Sequence, residues 1–317
     1  MNDCIDLKGV GKRFGGIQAV GDLSLAIPSG SLCGFLGPNG AGKSTTIRMI
    51  MSIIRQDEGS LRVLGGDAID RKDRIGYLPE ERGVYRRMRV EEYLGFIGRL
   101  KGIDTPRIRS RVDDLLDRIE LPDVKRRRCE ELSKGMQQKV QFLAAIIHDP
   151  ELLILDEPFS GLDPVNAQLL NELIRELHAE GRTILFSTHV LHQAEQMCDR
   201  IVLIDRGAKV LDENLDSIRR RFDPRMITAE PLGDSEAWRD HASRVEGVAG
   251  AEMDEDGRVH ARLREDADID RAMTECLAAG SVRMIERARP SLDDVFFSLV
   301  GRRADHPGEP MEGDADG

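Results

Sequence analysis

The chain has 317 residues, 40% hydrophobic and 32% charged, enough apolar material for a large domain with a smaller partner and too much for a collagen-like, mucin-like or wholly disordered polymer. Its net charge of −11 is unevenly placed: residues 1–220 hold 33 Lys and Arg against 34 Asp and Glu, and residues 221–317 hold 13 against 23. Neither part has the basic surplus that gripping a phosphate backbone requires, so no nucleic-acid partner is expected.

The amino terminus shows no basic segment followed by an apolar run, so no secretory signal is expected. Ile5–Ile27 reads as antiparallel strands, with Gly15-Gly16 and Gly21 as turn points. Ser31–Leu36 reads as a short apolar strand, Lys43–Met51 as a helix and Arg74–Leu78 as a strand. Val90–Leu121 and Lys134–Ile147 carry apolar residues at helical spacing with no strand between, which predicts a helical insertion. Glu151–Asp156 is a buried strand, Val165–Glu180 an amphipathic helix, and Thr183–Ser187 and Ile201–Asp205 are strands. Such alternation implies a mostly parallel sheet covered on both faces. The longest apolar runs, Phe142–Ile147 and Leu152–Leu155, fall far short of the roughly 20 residues of a bilayer span. Cys4, Cys33, Cys129, Cys198 and Cys276 form no C-x-x-C pair, the thiol usage of a reducing compartment.

After Asp223-Pro224 the pattern restarts in an acidic background. Met226–Glu230, Ala249–Met253, Val259–Leu263 and Val282–Arg287 read as strands, and Ser235–Val245, Ile269–Ala279 and Leu292–Val300 as helices. Without its last helix that order is β-α-β-β-α-β, the ferredoxin-like arrangement. Residues 302–317, rich in Gly, Pro and acids, are expected to form a disordered tail.

Gly37-Pro38-Asn39-Gly40-Ala41-Gly42-Lys43-Ser44-Thr45 fits G-x-x-x-x-G-K-[ST] between an apolar strand and a helix, the context a phosphate loop requires. Its glycines let backbone N–H groups converge on phosphates, and the helix N-terminus adds its positive end. Lys43 is placed to reach the β- and γ-phosphates, and Ser44 to set its hydroxyl on Mg²⁺. Leu152–Leu155 followed by Asp156-Glu157 puts two carboxylates at the carboxyl edge of a buried strand, where ligands of open α/β sheets bind. Asp156 suits the Mg²⁺ shell, and Glu157 suits activating a water against the γ-phosphate.

Together these residues resemble the nucleotide-binding subunits of ABC transporters. Leu132-Ser133-Lys134-Gly135-Met136-Gln137-Gln138 is similar to that family's signature, Ser160-Gly161-Leu162-Asp163 to its D-loop, and Ser187-Thr188-His189 to its switch histidine. Phe14 sits where the family places an aromatic that stacks on adenine. The resemblance covers about residues 3–222, and the rest resembles the small domain appended to bacterial export-type members, including Pro290–Phe296. It implies an α/β ATPase domain at 1–222 with a helical subdomain at about 90–147, and a small α+β domain at 223–301. It further implies a cytoplasmic ATP-hydrolysing subunit, peripheral on the membrane through a permease subunit. The active form would be a head-to-tail homodimer, or a pair with a similar subunit, sandwiching two ATP with Mg²⁺. Ser133 and Gly135 would then donate to the partner's γ-phosphate, Glu157 polarise the water and His189 contact the γ-phosphate. A soluble ABC-type ATPase acting on ribosomes or DNA is the alternative. A nucleotide-binding regulator without turnover is disfavoured by the presence of both Glu157 and His189.

Two departures from the family pattern stand out. The family has Gln where this chain reads Glu80, in Gly76-Tyr77-Leu78-Pro79-Glu80-Glu81, so a neutral Mg²⁺ and water ligand becomes a carboxylate; and Lys134 and Met136 replace a usual glycine and glutamine. The basic stretch Arg82–Arg89 lies where the family receives a short helix of the membrane subunit, and reads equally as a solvated basic face. Lys125–Arg128, followed at once by Glu130-Glu131, reads as solvent-facing.

Overall fold

Apolar residues open the chain: Cys4, Ile5, Leu7 and Val10 of β1 (Asp3–Phe14) are buried, and in β2 (Ile17–Pro28) Leu23, Leu25 and Ile27 alternate with less buried neighbours. The two strands pair antiparallel across the Gly15-Gly16 turn, with Phe14 opposite Ile17. Gly21, expected at a turn, lies inside β2, where its N–H donates 2.9 Å to the Gly207 carbonyl. The structure is a computed structural model and describes residues 3–81 and 83–305.

Next come β3 (Leu32–Leu36), α1 (Lys43–Ile50), β4 (Glu58–Val63), β5 (Ile75–Leu78), α2 (Val90–Leu100), α3 (Thr105–Arg118) and α4 (Lys134–Ile146). They are followed by β6 (Leu152–Asp156), α5 (Pro164–Ala179), β7 (Thr183–Thr188), α6 (Leu191–Met197), β8 (Arg200–Asp205), β9 (Ala208–Asn214) and α7 (Leu215–Arg221). The first compact unit runs up to Leu215 and resumes from Ser298. In it, β4 pairs with the free side of β1 to complete a three-stranded antiparallel sheet.

The second sheet has the order β5-β6-β7-β3-β8-β9, parallel throughout except for β9. Its strands β3, β6 and β7 are wholly buried, as near-continuous apolar runs of a covered parallel sheet must be. Register fixes the site: Leu36 pairs with Thr188, Asp156 with Ser187 and Leu78 with Leu155. The carboxyl ends of β3, β5, β6 and β7 therefore share one edge.

The stretch Val90–Leu121, expected to be helical, forms two helices, α2 and α3. Gly102, at φ +83°, takes a left-handed turn between α2 and α3 that a side chain would strain. Within Lys125–Arg128 the charges are partly internal: Lys125 pairs with Asp113, and Arg127 donates 2.6 Å to the Glu131 carbonyl. Tyr85 is half-exposed and lies edge-on to Phe96, ring centroids 5.5 Å apart. Arg82 lies outside the described residues.

The second unit, Asp216–Phe297, holds β10 (Met226–Pro231), α8 (Ser235–Ala242), β11 (Val248–Met253), β12 (Val259–Leu263), α9 (Ile269–Leu277) and β13 (Val282–Arg287). The all-antiparallel order β11-β12-β10-β13 is the ferredoxin-like one. Trp238, 2% exposed, anchors its core with Ile227, Val259, Ala261 and Cys276. Asp234 and Asp268 cap α8 and α9 through their side chains. The closing helix α10 (Leu292–Asp305) runs five residues beyond its expected end, so 302–305 are helical rather than tail; residues 306–317 lie outside the described residues. Among the described residues no helix is long and apolar enough to cross a membrane.

Candidate functional site

The loop between β3 and α1 is shaped by its glycines. Gly37 and Gly42 have φ of +153° and +102°, and a Cβ on them would stand 2.2 Å from the Ile204 carbonyl oxygen and 2.6 Å from that of Ala19. Only glycine fits where backbone meets backbone so closely. The loop opens on a cavity of about 390 Å³ lined by Ala19, Asn39, Gly40, Gly42, Lys43, Ser44, Thr45, Glu80, Asp156 and Glu157. Gly37, Pro38 and Ala41 complete the loop behind it, with the Ala41 N–H donating 3.1 Å to the Pro38 carbonyl.

Charge in the cavity is lopsided. Lys43 is 7% exposed and its Nζ donates to the carbonyls of Gly37 at 2.6 Å and Pro38 at 3.1 Å. Burial holds this ammonium below the usual lysine range, while Glu157, Asp156 and Glu80 pull the other way. Burial likewise lifts the Asp156 carboxyl, and Glu80 and Glu157 lift it further by like-charge repulsion. Three carboxylates around one lysine and one serine hydroxyl form an oxygen-rich donor set that fits a hard divalent cation carried with a polyphosphate.

Glu157 sits at φ +51°, a strained conformation for a side-chain-bearing residue, held by its N–H donating 2.9 Å to the Ser187 carbonyl. Its carboxylate is fully engaged. Oε1 accepts from the His189 backbone N–H at 2.9 Å and lies 2.6 Å from His189 Nδ1, and Oε2 accepts from the Thr188 hydroxyl at 3.1 Å. A carboxylate and an imidazole in this contact can share a proton and can together aim a water.

Ser133, Gly135, Asp163 and Phe14 do not line the cavity. Ser133 caps α4, its Oγ accepting 3.2 Å from the Met136 N–H, and Asp163 caps α5 through the Asn166 N–H at 2.9 Å. A Cβ on Gly135 would stand 3.5 Å from Leu162 Cδ2, so the start of α4 abuts the Gly161-Leu162 turn. Phe14 is 50% exposed with the Lys12 ammonium 5.5 Å from its ring centroid, a surface aromatic rather than a core one. The sequence reading missed Ala19, which carries no polar group to flag it, and the buried Gln141 of α4; Gln138 entered it only as the end of the signature stretch, without its burial.

Residues 20–160 match the ABC transporter family, and residues 214–300 match the family described as ATP-binding protein DrrA1-3-like, C-terminal domain. An uncharacterized ABC transporter ATP-binding protein of Bacillus subtilis, YhaQ, is 40% identical over 92% of this chain and 97% of its own length. The Nod factor export ATP-binding protein I of a Rhizobium species is 34% identical over 94% of this chain and 97% of its own. Among solved structures, an ATP binding subunit of an ABC transporter superposes with a TM-score of 0.65 at 32% identity, covering 69% of this chain and 93% of that one.

Proposed function

The chain belongs to the ATP-binding proteins of ABC transporters and is an ATP-hydrolysing subunit of such a transporter, and from that premise we propose how its own residues carry the reaction. The N–H groups of the Gly37–Thr45 loop and the N-terminus of α1 receive the phosphates. Lys43, whose Nζ contacts the Gly37 and Pro38 carbonyls at the mouth of the loop, reaches the β- and γ-phosphates. Ser44 and Asp156, with Glu80 beside them on the cavity wall, would hold Mg²⁺. When bound there, Mg²⁺ draws negative charge from the phosphate oxygens. Glu157 aims and deprotonates the attacking water, and His189 gives up its contact with Glu157 to meet the γ-phosphate.

The observation that supports this reading best is the convergence of the phosphate loop, Asp156, Glu157 and Glu80 on one cavity with His189 on Glu157. Ser133 and Gly135, clear of their own cavity, serve that of a second copy or a similar subunit in a head-to-tail dimer. Phe14 stacks on the adenine, and Asp163 supports the turn against which α4 begins. We assign residues 1–222 to the ATPase domain and 223–301 to a module that regulates it or supports the dimer. The dimer works on the inner face of the membrane against a permease, in export, the activity named for the Rhizobium relative.

The test is Glu157→Gln with ATP. The variant is expected to bind ATP, form a stable dimer and co-purify from detergent-solubilised membranes with a stoichiometric multi-span protein. A variant that stays monomeric with ATP, or that still hydrolyses it, defeats the assignment. For the metal, Mn²⁺ titrated in the presence of a non-hydrolysable ATP analogue is expected to bind more weakly to Asp156→Asn than to the unmutated chain.

A further inference from the structure

Helix α4 begins with the signature residues and runs back into the core of the first unit, and a helix entering a core is expected to present an apolar face. It does so with Val140, Phe142, Leu143 and Ile146, and beside them it buries Lys139, which donates to the Ile119 carbonyl, and two glutamines one turn apart. Gln138 is 2% and Gln141 3% exposed. Their i, i+3 spacing puts them on one side of the helix, about 4.5 Å apart along its axis.

Each carboxamide reaches a different strand-end loop. Gln138 Nε2 donates 3.0 Å to the carbonyl of Pro158, the residue after Glu157. Gln141 Nε2 donates 3.2 Å to the carbonyl of Glu81, the residue after Glu80. The bonds therefore hold the carbonyl of the residue that follows each of two cavity carboxylates. Gln141 Oε1 is buried with no partner among the described residues, an arrangement less favourable than a satisfied acceptor. A leucine there would relieve that acceptor and leave the Glu81 carbonyl without its donor; the two effects oppose each other, so stability alone does not account for a glutamine.

We propose that Gln138 and Gln141 are positioning residues that tie the Glu157 and Glu80 loops to the signature helix, so that the two acids move with α4 as one assembly. The reason is mechanical as well as chemical. An α-helix is stiff over the two turns that separate Ser133 from Gln141, and each loop meets it through a directional bond rather than through packing alone. A displacement of the α4 N-terminus reaches both acids, and the Glu81 side of the linkage continues into the exposed stretch 83–89. Nucleotide held at the signature is thereby sensed at that surface. The inference rests on the site reading above, in which Glu157 performs hydrolysis.

The test uses the full chain and Gln141→Leu, with Gln141→Met as a second variant of similar volume should the first fold poorly. A spin label at Arg87→Cys reports on the exposed stretch; the five native cysteines are all buried and stay unlabelled. Gln141→Leu is expected to keep its melting temperature and its KM for ATP within twofold while kcat falls about tenfold, the size of loss that a misplaced reacting group produces. The spectral difference between the ATP and ADP states of the label, present in the parent chain, is expected to vanish. A variant with the parent's kcat and the parent's nucleotide-dependent spectrum overturns the proposal, and so does a parent chain whose label reads ATP and ADP alike. Hydrolysis that survives Glu157→Gln overturns the site reading instead; an inactive Glu157→Gln beside an unimpaired Gln141→Leu overturns the coupling alone.

Discussion

The two units bury different things. The first takes Lys43, Thr46, Gln138, Lys139, Gln141, Asp156, Thr183, Ser187 and Thr188 out of water, whereas among the described residues of the second only Thr228 is a polar residue buried to that degree. The second keeps its charges outside, in pairs such as Arg271 with Glu246 and Glu275 and Arg283 with Glu230. Burying a polar or charged group opposes folding unless a partner receives it, so such groups persist where chemistry or coupling requires them. Their concentration around the carboxyl edge of the parallel sheet and along α4 marks the first unit as the working part. The second is an ordinary apolar sandwich of helices on a sheet.

The largest effect expected from this contrast is at Glu157. Glu157→Gln should lower the hydrolysis rate about 10²–10⁴-fold, the usual contribution of a positioned base, with little change in melting temperature. Phosphate release and calorimetry on the same sample check both halves. Trp238→Ala should do the reverse. Removing a ring that is 2% exposed from the smaller core should cost about 3–5 kcal/mol, seen as an earlier melting step, while hydrolysis by the first unit persists. A Trp238→Ala protein that melts early and also loses its ATPase activity would break the division of labour.

His148 sharpens the contrast within the first unit. Burial, with Lys101 next in effect, pushes its imidazole down to about 4, and its Nε2 lies 3.0 Å from the Ile75 carbonyl. The folded chain keeps this ring neutral to about pH 4, whereas the unfolded chain protonates it below about pH 6.5. Between those values the unfolded state holds more protons, so the stability contributed by the neutral ring is complete above about pH 6.5 and is lost as the pH falls towards 4. The loss amounts to about 3 kcal/mol at most. Urea midpoints measured from pH 7 to pH 4 should fall less steeply for His148→Gln, which still donates to Ile75.

Much of the site was legible because its residues sit on short loops whose order the strand–helix alternation dictates. Gly37–Thr45, Asp156-Glu157 and His189 announce themselves by type and spacing, and the parallel register then brings them together. The ferredoxin-like order was legible from the succession of short strands and helices; along the strands themselves only β12 alternates cleanly between buried and outward residues. The exposed strand β4 was missed because five of its six residues are not fully buried and show no alternation, and edge strand β9 was missed in the same way. Contacts formed across long separations leave no local trace. Nothing in Lys134–Ile147 says that Gln138 will meet Pro158 or that Gln141 will meet Glu81, and nothing in the phosphate loop says that Lys43 folds back on Gly37.

Ser133 is where the two kinds of information overlap, and it carries the smallest effect. As a cap its hydroxyl accepts from the Met136 N–H, so Ser133→Ala should cost about 1 kcal/mol. Aspartate caps as well as serine does, so Ser133→Asp should keep the stability of the parent. If Ser133 also faces the γ-phosphate of a second copy, the added carboxylate sets like charge against it, and ATP should no longer drive dimerisation of Ser133→Asp in the Glu157→Gln background. Sedimentation velocity with and without ATP separates the roles: a dimer that forms normally leaves Ser133 a helix cap and nothing more, and a stable monomer places the signature at the partner's phosphate.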